Sequence, residues 1–477
     1  MPNRAPSAAA ALAHARAGRT RFVEELKELV RFPTVGAQPA HRGDMRRCAA
    51  WLVAHLRGIG LRAETVETGG HPLVLARWSG APGRPTLLVY GHYDVQPAEP
   101  LGEWTSPPFE PVIRGADLFG RGACDDKGQL WAHVKALECW LRGAGTLPVN
   151  VVCVLEGEEE TGSVGMLRWL RAEGGTLRAD AALISDMRMR GPGIPAITYA
   201  MRGALSAELE VRGPAVDLHS GNFGGAVHNP LQALCEIVSR LHDARGRVAV
   251  PGFYRRVREV DAEERAYMAR VGPSDAEILR DARAARGWGE RGYTLYERTA
   301  LRPSLSVNGI VGGYAGEGAK AVIPARATAK LSFRLVPDQD PAEVARLLRE
   351  HVARLAPPTV RAAVRTVFGA HPAHVERRHP VLRAAAAAFR ESFGREPVFL
   401  RSGGTIPVVS ALGETLGVPV VLAGLALPDD RLHGPDEKFH LPNLYRGIDA
   451  SIRFLARLGA GGRARPRRPT SHAGAIP

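Results

Sequence analysis

The stretch Leu87-Leu88-Val89-Tyr90-Gly91-His92-Tyr93-Asp94 sets an apolar run of strand length directly before a histidine and an aspartate. The arrangement recurs. Val151 through Leu155 leads into Glu156-Gly157-Glu158-Glu159-Glu160, and Ala181 through Ser185 leads into Asp186. Runs this short and this continuously apolar read as central strands of a sheet covered on both faces. Carboxylates at the tips of buried strands are costly unless something positive meets them.

Outward from these strands, a further apolar run at 72–76 and a helical periodicity from about 128 to 142 extend an α/β pattern. Phe22, Leu26, Leu29 and Val30 share one helix face, as do Met45, Cys48, Ala49, Leu52 and Leu56. Near residue 197 the pattern changes. Leu205, Ala207, Leu209 and Val211 alternate as in a half-exposed strand, and a second alternating run covers 329–334. Helices are expected at 229–242, where Asn229-Pro230 supplies a cap and a first-turn proline, and near 341–354. The stretch 256–300 reads as surface-lying helix. An α/β pattern resumes with 381–389, 418–422 and 443–458. The expected architecture is an α/β/α domain over 21–196 and 376–460, interrupted by a smaller α+β domain over 197–375. A flexible N-terminal segment (1–20) and a disordered basic tail (461–477) flank it.

The formal charge of +14 invites a nucleic-acid reading, but residues 1–20 and 461–477 hold seven arginines and no acid, half of the excess. No basic run is interleaved with aromatics, so a nucleic-acid partner is set aside. Five widely spaced cysteines without a CxxC fit a reducing compartment, and no segment reaches 18 consecutive apolar residues. The expectation is a soluble, cytoplasmic protein with no membrane partner.

His92, Asp125, Glu159 or Glu160, Asp186 and His433 offer a mixed nitrogen and oxygen donor set. Such a set suits zinc, manganese or cobalt, and enough carboxylates are present to bridge two ions. His92 and Asp94 stand at i and i+2. Either both bind metal, or Asp94 fixes the second ring nitrogen of His92. Asp125 and Asp126 sit in Gly120-Arg121-Gly122-Ala123-Cys124-Asp125-Asp126-Lys127-Gly128, a loop turning into a helix. Cys124 is a poor nucleophile there, because neighbouring carboxylates push a thiol pKa up.

With these motifs in family order, the chain resembles the dinuclear metallopeptidases that include carnosine-type dipeptidases, glutamate carboxypeptidases, aminoacylases and succinyl-diaminopimelate desuccinylase. The resemblance spans about residues 20–460. Gly91-His92-Tyr93-Asp94-Val95-Gln96-Pro97 is most like the dipeptidase branch, and Asp217-Leu218-His219-Ser220-Gly221 belongs to the same set. The resemblance implies that His92 and Asp186 hold one ion, Glu160 and His433 the other, and Asp125 both. It implies zinc as first choice, with manganese or cobalt as alternatives. Asp94 would orient His92. Glu159 would be the general base as bridging hydroxide attacks the amide carbonyl, and His219 of a partner subunit would meet the oxyanion. Arg334, Asn308 and the loop Ser402-Gly403-Gly404-Thr405 would bind the substrate carboxylate. The inserted domain would serve as lid and dimerisation surface of a homodimer. Two departures stand out: Cys124 where another small residue such as Thr or Ala is usual, and Asp436 for Asn, with little consequence expected. The implied activity is hydrolysis of dipeptides or short peptides with a free carboxylate. The alternative at the same site is hydrolysis of N-acyl, N-carbamoyl or N-succinyl amino acids.

Overall fold

The computed structural model describes residues 7–461, so all but the first residue of the expected disordered tail lies outside the described residues. Two compact units divide the chain. One holds the residues up to Tyr199, Val375–Phe399 and the chain from Ala411; the other holds Ala200–His374 and Leu400–Ser410.

The large sheet of the first unit begins with five strands: β1 (Arg62–Val66), β2 (Leu73–Trp78), β3 (Thr86–His92), β4 (Asn150–Glu156) and β5 (Ala181–Ser185). They lie in the order β1-β2-β4-β3-β5, followed by Val420–Gly424 and Ala196–Met201. β4, β3, β5 and Val420–Gly424 are parallel, while β1, β2 and Ala196–Met201 join antiparallel. β3 is buried from Leu87 to His92 and β5 throughout, so neither shows the alternation of a solvent-facing strand. The expected α/β class holds. The helix Lys127–Glu138 packs on β3 and β5 and buries all twelve of its residues. Gly91 permits its close approach, since a Cβ there would lie 2.9 Å from both Leu130 Cδ1 and Asp126 Oδ2.

The flexible start expected over 1–20 is corrected for residues 7–20, the remainder lying outside the described residues. Helices span Ala8–Ala17 and Arg19–Val30, and Ala11, Leu12 and Ala15 are buried. The first helix packs on the turn Cys139–Gly143 and on the helix Leu441–Ala460. Its alanines make the approach close: a Cβ on Gly143 would meet Ala10 O at 2.9 Å. An apolar stripe built from alanine has little contrast in hydropathy, which is why the sequence reads as loose.

The second unit is a four-stranded antiparallel sheet in the order Ser304–Gly312, Arg326–Leu335, Gly203–Arg212, Arg361–Ala370. Leu205, Ala207, Leu209 and Val211 join Ala327, Ala329, Leu331 and Phe333 in one core with residues of the helices Pro230–Ser239 and Pro341–Leu355. This is the one-sided sheet the alternation predicts. Leu400–Ser410, expected with the first unit, belongs here. Long-range bonds decide it: Arg202 N–H donates to Ser402 O at 3.2 Å, and Tyr296 Oη donates to Arg401 O at 3.0 Å.

One ionic cluster is buried in the first unit. Lys135 Nζ meets Glu138 Oε2 at 2.7 Å and His55 Nε2 at 2.9 Å, and also pairs with Glu25. Arg21 adds a second cation to Glu138 at 2.5 Å. Lys135 also stands 4.2 Å from the Trp131 ring centroid. Burial and the Lys135 charge hold His55 down at about 4, so it accepts the lysine proton as a neutral ring. Lys135→Met removes the central cation and leaves two carboxylates under-compensated. It should cost about 3 kcal/mol of stability, read as a lower urea midpoint; an unchanged midpoint would refute the role.

Candidate active site

The acids and histidines singled out above sit where the parallel strands end. β3 finishes at His92, β4 runs into the turn bearing Glu158, Glu159 and Glu160, and β5 runs into Asp186. The ladder pairs His92 with Glu156 and Tyr90 with Ile184, so these strand ends stand level. A crevice beyond the carboxyl ends of parallel strands is the usual site in such sheets. Asp125 enters from the loop that opens the helix Lys127–Glu138, and His433 from the turn ahead of Lys438–His440.

Two groups able to hold a metal ion form there. His92, Asp125 and Asp186 each offer a donor atom within 4.8 Å of the others, and so do Asp125, Glu160 and His433. Asp125 belongs to both. Its Oδ1 lies 3.2 Å from His92 Nε2 and its Oδ2 3.0 Å from His433 Nε2. His433 Nε2 is also 3.4 Å from Glu160 Oε1. His92 Nε2 and Glu160 Oε1 are buried without an aligned hydrogen-bond partner among the described residues. No lysine or arginine pairs with Asp125, Glu160 or Asp186 among them. Buried donors aimed at one another with no lysine or arginine among them fit a pair of divalent ions.

Electrostatics agree. Burial, with the charges of Asp125 and Asp126, pushes Asp186 well above the carboxylate range. Burial, Glu160 and Asp94 push Glu159 up to about 7 against the pull of His92. Burial opposes charging His92, yet Asp125 and Asp94 raise it well above the ordinary histidine range. Bonds to Asp125 and Glu160 raise His433 to about 10. Burial and the charges of Asp430 and Glu437 push the Cys124 thiol up, as expected for a group that is no nucleophile.

Two buried acids build the frame. Asp94 lies 3.3 Å from His92 Nδ1, and its oxygens accept the N–H of Glu159 at 3.2 Å and of Glu160 at 3.0 Å. It therefore sets the turn as well as the ring. Glu437, missed in the sequence, accepts the N–H groups of Gly122, Cys124 and Asp125 at 2.9, 3.0 and 3.0 Å and pairs with Arg121 at 2.7 Å. Arg121 reaches on to His433 O at 2.9 Å. Gln96 donates to Glu160 Oε2 at 2.8 Å, a second contact that spacing does not reveal. The acidic motif splits as charge repulsion demands. Glu156 takes the hydroxyls of Tyr90 and Ser163, Glu158 takes the N–H of Gly165, and Glu159 and Glu160 remain for the centre. Asp436 ties the His433 turn to Thr105 through N–H (3.0 Å) and hydroxyl (2.7 Å).

The remaining candidates lie in the second unit. His219 is exposed, and its Nδ1 accepts the N–H of Gly221 at 3.0 Å. Asn308 is exposed at a bulge of its strand and accepts the Ser332 hydroxyl at 2.7 Å. Arg334 Nη1 donates to Thr405 Oγ1 at 2.8 Å, bringing Arg334 and the Ser402–Thr405 loop together. Within that loop the Gly404 N–H is already taken by Ser402 Oγ at 3.1 Å. Among the described residues no helix is long and apolar enough to cross a membrane.

Comparison with known proteins matches the model of Peptidase family M20/M25/M40 to residues 88–457. The chain is 32% identical over 468 residues to the Cys-Gly metallodipeptidase dug1 of Schizosaccharomyces pombe, covering 93% of this chain and 96% of that protein. It is 31% identical over 452 residues to the Beta-Ala-His dipeptidase of Homo sapiens, covering 91% and 89%. The crystal structure of the M20 family metallo-carboxypeptidase Sso-CP2 from Sulfolobus solfataricus superimposes with a TM-score of 0.81 at 31% identity, over 92% of this chain and 99% of that one. With a family model matched across most of its length and a site of this donor chemistry, the chain belongs to Peptidase family M20/M25/M40.

Proposed function

We propose that the chain is a dinuclear metal-dependent dipeptidase acting on substrates with a free carboxylate. The observation that carries this reading is the pair of ligand groups sharing Asp125, with Glu159 held beside Glu160 by Asp94. In this reading His92 and Asp186 hold one ion, Glu160 and His433 the second, and Asp125 both. Zinc is the first choice; manganese and cobalt suit the same donors. When bound, such ions activate a water and polarise the scissile carbonyl.

The chain's own groups do the rest. Glu159 takes the proton of the attacking water on its carboxylate and returns it to the departing amine. His219 donates to the developing oxyanion. The bond from Gly221 N–H to its Nδ1 supports this, because it leaves Nε2 as the nitrogen carrying the proton. We read His219 as delivered within a homodimer, as the resemblance implies. Arg334, with Asn308 and the Ser402-Gly403-Gly404-Thr405 loop, holds the substrate carboxylate through its planar fork. Dipeptides are the first substrates to test, since the relatives at 32% and 31% identity are named for Cys-Gly and Beta-Ala-His.

Three outcomes test this. Removing metal by chelation should abolish turnover of Cys-Gly and Beta-Ala-His, and zinc, manganese or cobalt should restore it. Full turnover by metal-free protein, or cleavage confined to N-acyl, N-carbamoyl or N-succinyl amino acids, would overturn the reading. Glu159→Gln should lower kcat by about 10²–10⁴ with metal content by mass spectrometry unchanged; near-wild-type kcat would remove Glu159 as the base. His219→Ala should lower kcat by about 10²–10³ at full metal content, and unchanged kinetics would end the oxyanion role.

A further inference from the structure

Arg202 enters the strand Gly203–Arg212 with 8% of its surface exposed. Its guanidinium fans over neutral acceptors. Nε donates to Gly403 O at 3.0 Å, and Nη1 lies 3.3 Å from Arg298 O, Arg302 O and Ser304 Oγ. Arg298 O lies in the last turn of the helix Leu295–Ala300 and Arg302 O just past it, so Arg202 joins that helix end to the Ser402–Thr405 turn. Its backbone completes the link: its N–H donates to Ser402 O at 3.2 Å, and its carbonyl accepts the Thr405 hydroxyl at 2.7 Å. A threonine hydroxyl has a single proton. Once that proton goes to Arg202 O, the Oγ1 lone pairs are left for Arg334 Nη1 at 2.8 Å. Gly403 lets the turn close, because a Cβ there would lie 2.3 Å from Thr299 O.

The charges make the arrangement specific. Three neighbouring arginines of this unit have an acid: Arg302 with Glu290 (2.8 Å), Arg401 with Glu264 (2.7 Å) and Arg265 with Glu297 (2.6 Å). Neither Arg202 nor Arg334 has a carboxylate partner among the described residues. Burying a guanidinium against neutral carbonyls alone is costly. An acid placed here would relieve that cost, and it would also compete with an incoming anion for Arg334.

We propose that Arg202 is a positioning residue that locks the Ser402–Thr405 turn and, through Thr405, fixes the guanidinium of Arg334 for the substrate carboxylate. The inference rests on Arg334 being the carboxylate partner in the function proposed above. The test compares Cys-Gly with its C-terminal amide on full-length, metal-loaded enzyme. Arg202→Lys keeps the charge and loses the fan; Thr405→Val keeps Arg202 and cuts the link, so one variant remains informative should the other misfold. Each should raise KM for Cys-Gly about tenfold, and lower kcat/KM several-fold more for the acid than for the amide. The double variant should be no worse than the worse single, because both act on one chain of bonds. In a crystal structure of Thr405→Val the Arg334 side chain should leave the position it holds here. Equal losses on acid and amide, additive effects, or an unmoved Arg334 would overturn the proposal. Arg334→Lys separates the two failures. If it does not distinguish acid from amide, the carboxylate reading itself fails; if it does while Arg202→Lys and Thr405→Val do not, only the role of Arg202 fails.

Discussion

Concentrated negative charge at the carboxyl edge of a buried parallel sheet is the constraint on which this structure turns. Asp94, Asp125, Asp126, Glu159, Glu160 and Asp186 converge there, and a chain holding them together must restrain loops that repel one another. The restraint comes from other acids. Asp94 accepts the backbone N–H groups of Glu159 and Glu160, and Glu437 accepts those of Gly122, Cys124 and Asp125. Each is a charge-assisted bond worth about 1.5–3 kcal/mol. A carboxylate that spends its lone pairs on the backbone of a ligand loop turns that loop's own carboxylate toward the centre.

Arg121 extends the frame to the histidine side. Its guanidinium pairs with Glu437 and donates to His433 O, so one buried cation fixes both the Asp125 loop and the His433 turn. That turn holds three non-glycine residues in the left-handed region: Arg431 at φ 53°, His433 at 66° and Asp436 at 56°. Such residues persist only where surrounding contacts over-determine them. The Arg121 bond and the Asp436 bonds to Thr105 provide those contacts, which explains why Asp serves at 436.

Features that depend on local periodicity could be read from the sequence; features that depend on long-range bonds could not. β3, β4 and β5 are unbroken apolar runs, and Gly203–Arg212 alternates cleanly, so strand type and sheet class follow directly. Glu159 and Glu160 share one turn, and spacing gives no means of separating them; the resemblance supplied the distinction. Glu437 sits in Gly434-Pro435-Asp436-Glu437-Lys438, a stretch without apolar residues or period, and only the fold shows it buried. The stretch 256–300 resolves into the helices Ala262–Val271, Asp275–Asp281 and Leu295–Ala300. Their core is small, Met268, Tyr296, Ala300 and Leu301, too few apolar positions to register as a period.

A third cluster of the same composition contrasts with the centre around Asp125. Glu25, His55 and Glu138 also bring donor atoms within 4.8 Å of one another. There the fold supplies its own cation: Lys135 Nζ sits 2.7 Å from Glu138 and 2.9 Å from His55, with Arg21 behind it. The charge is neutralised from within, the histidine is neutral, and nothing further is required. Around Asp125 the donors are equally close, but among the described residues the only positive partners are the two histidines. Carboxylates and a histidine gathered in one place are thus not by themselves a metal site. What distinguishes the centre around Asp125 is that the chain brings the anions together and withholds the lysine.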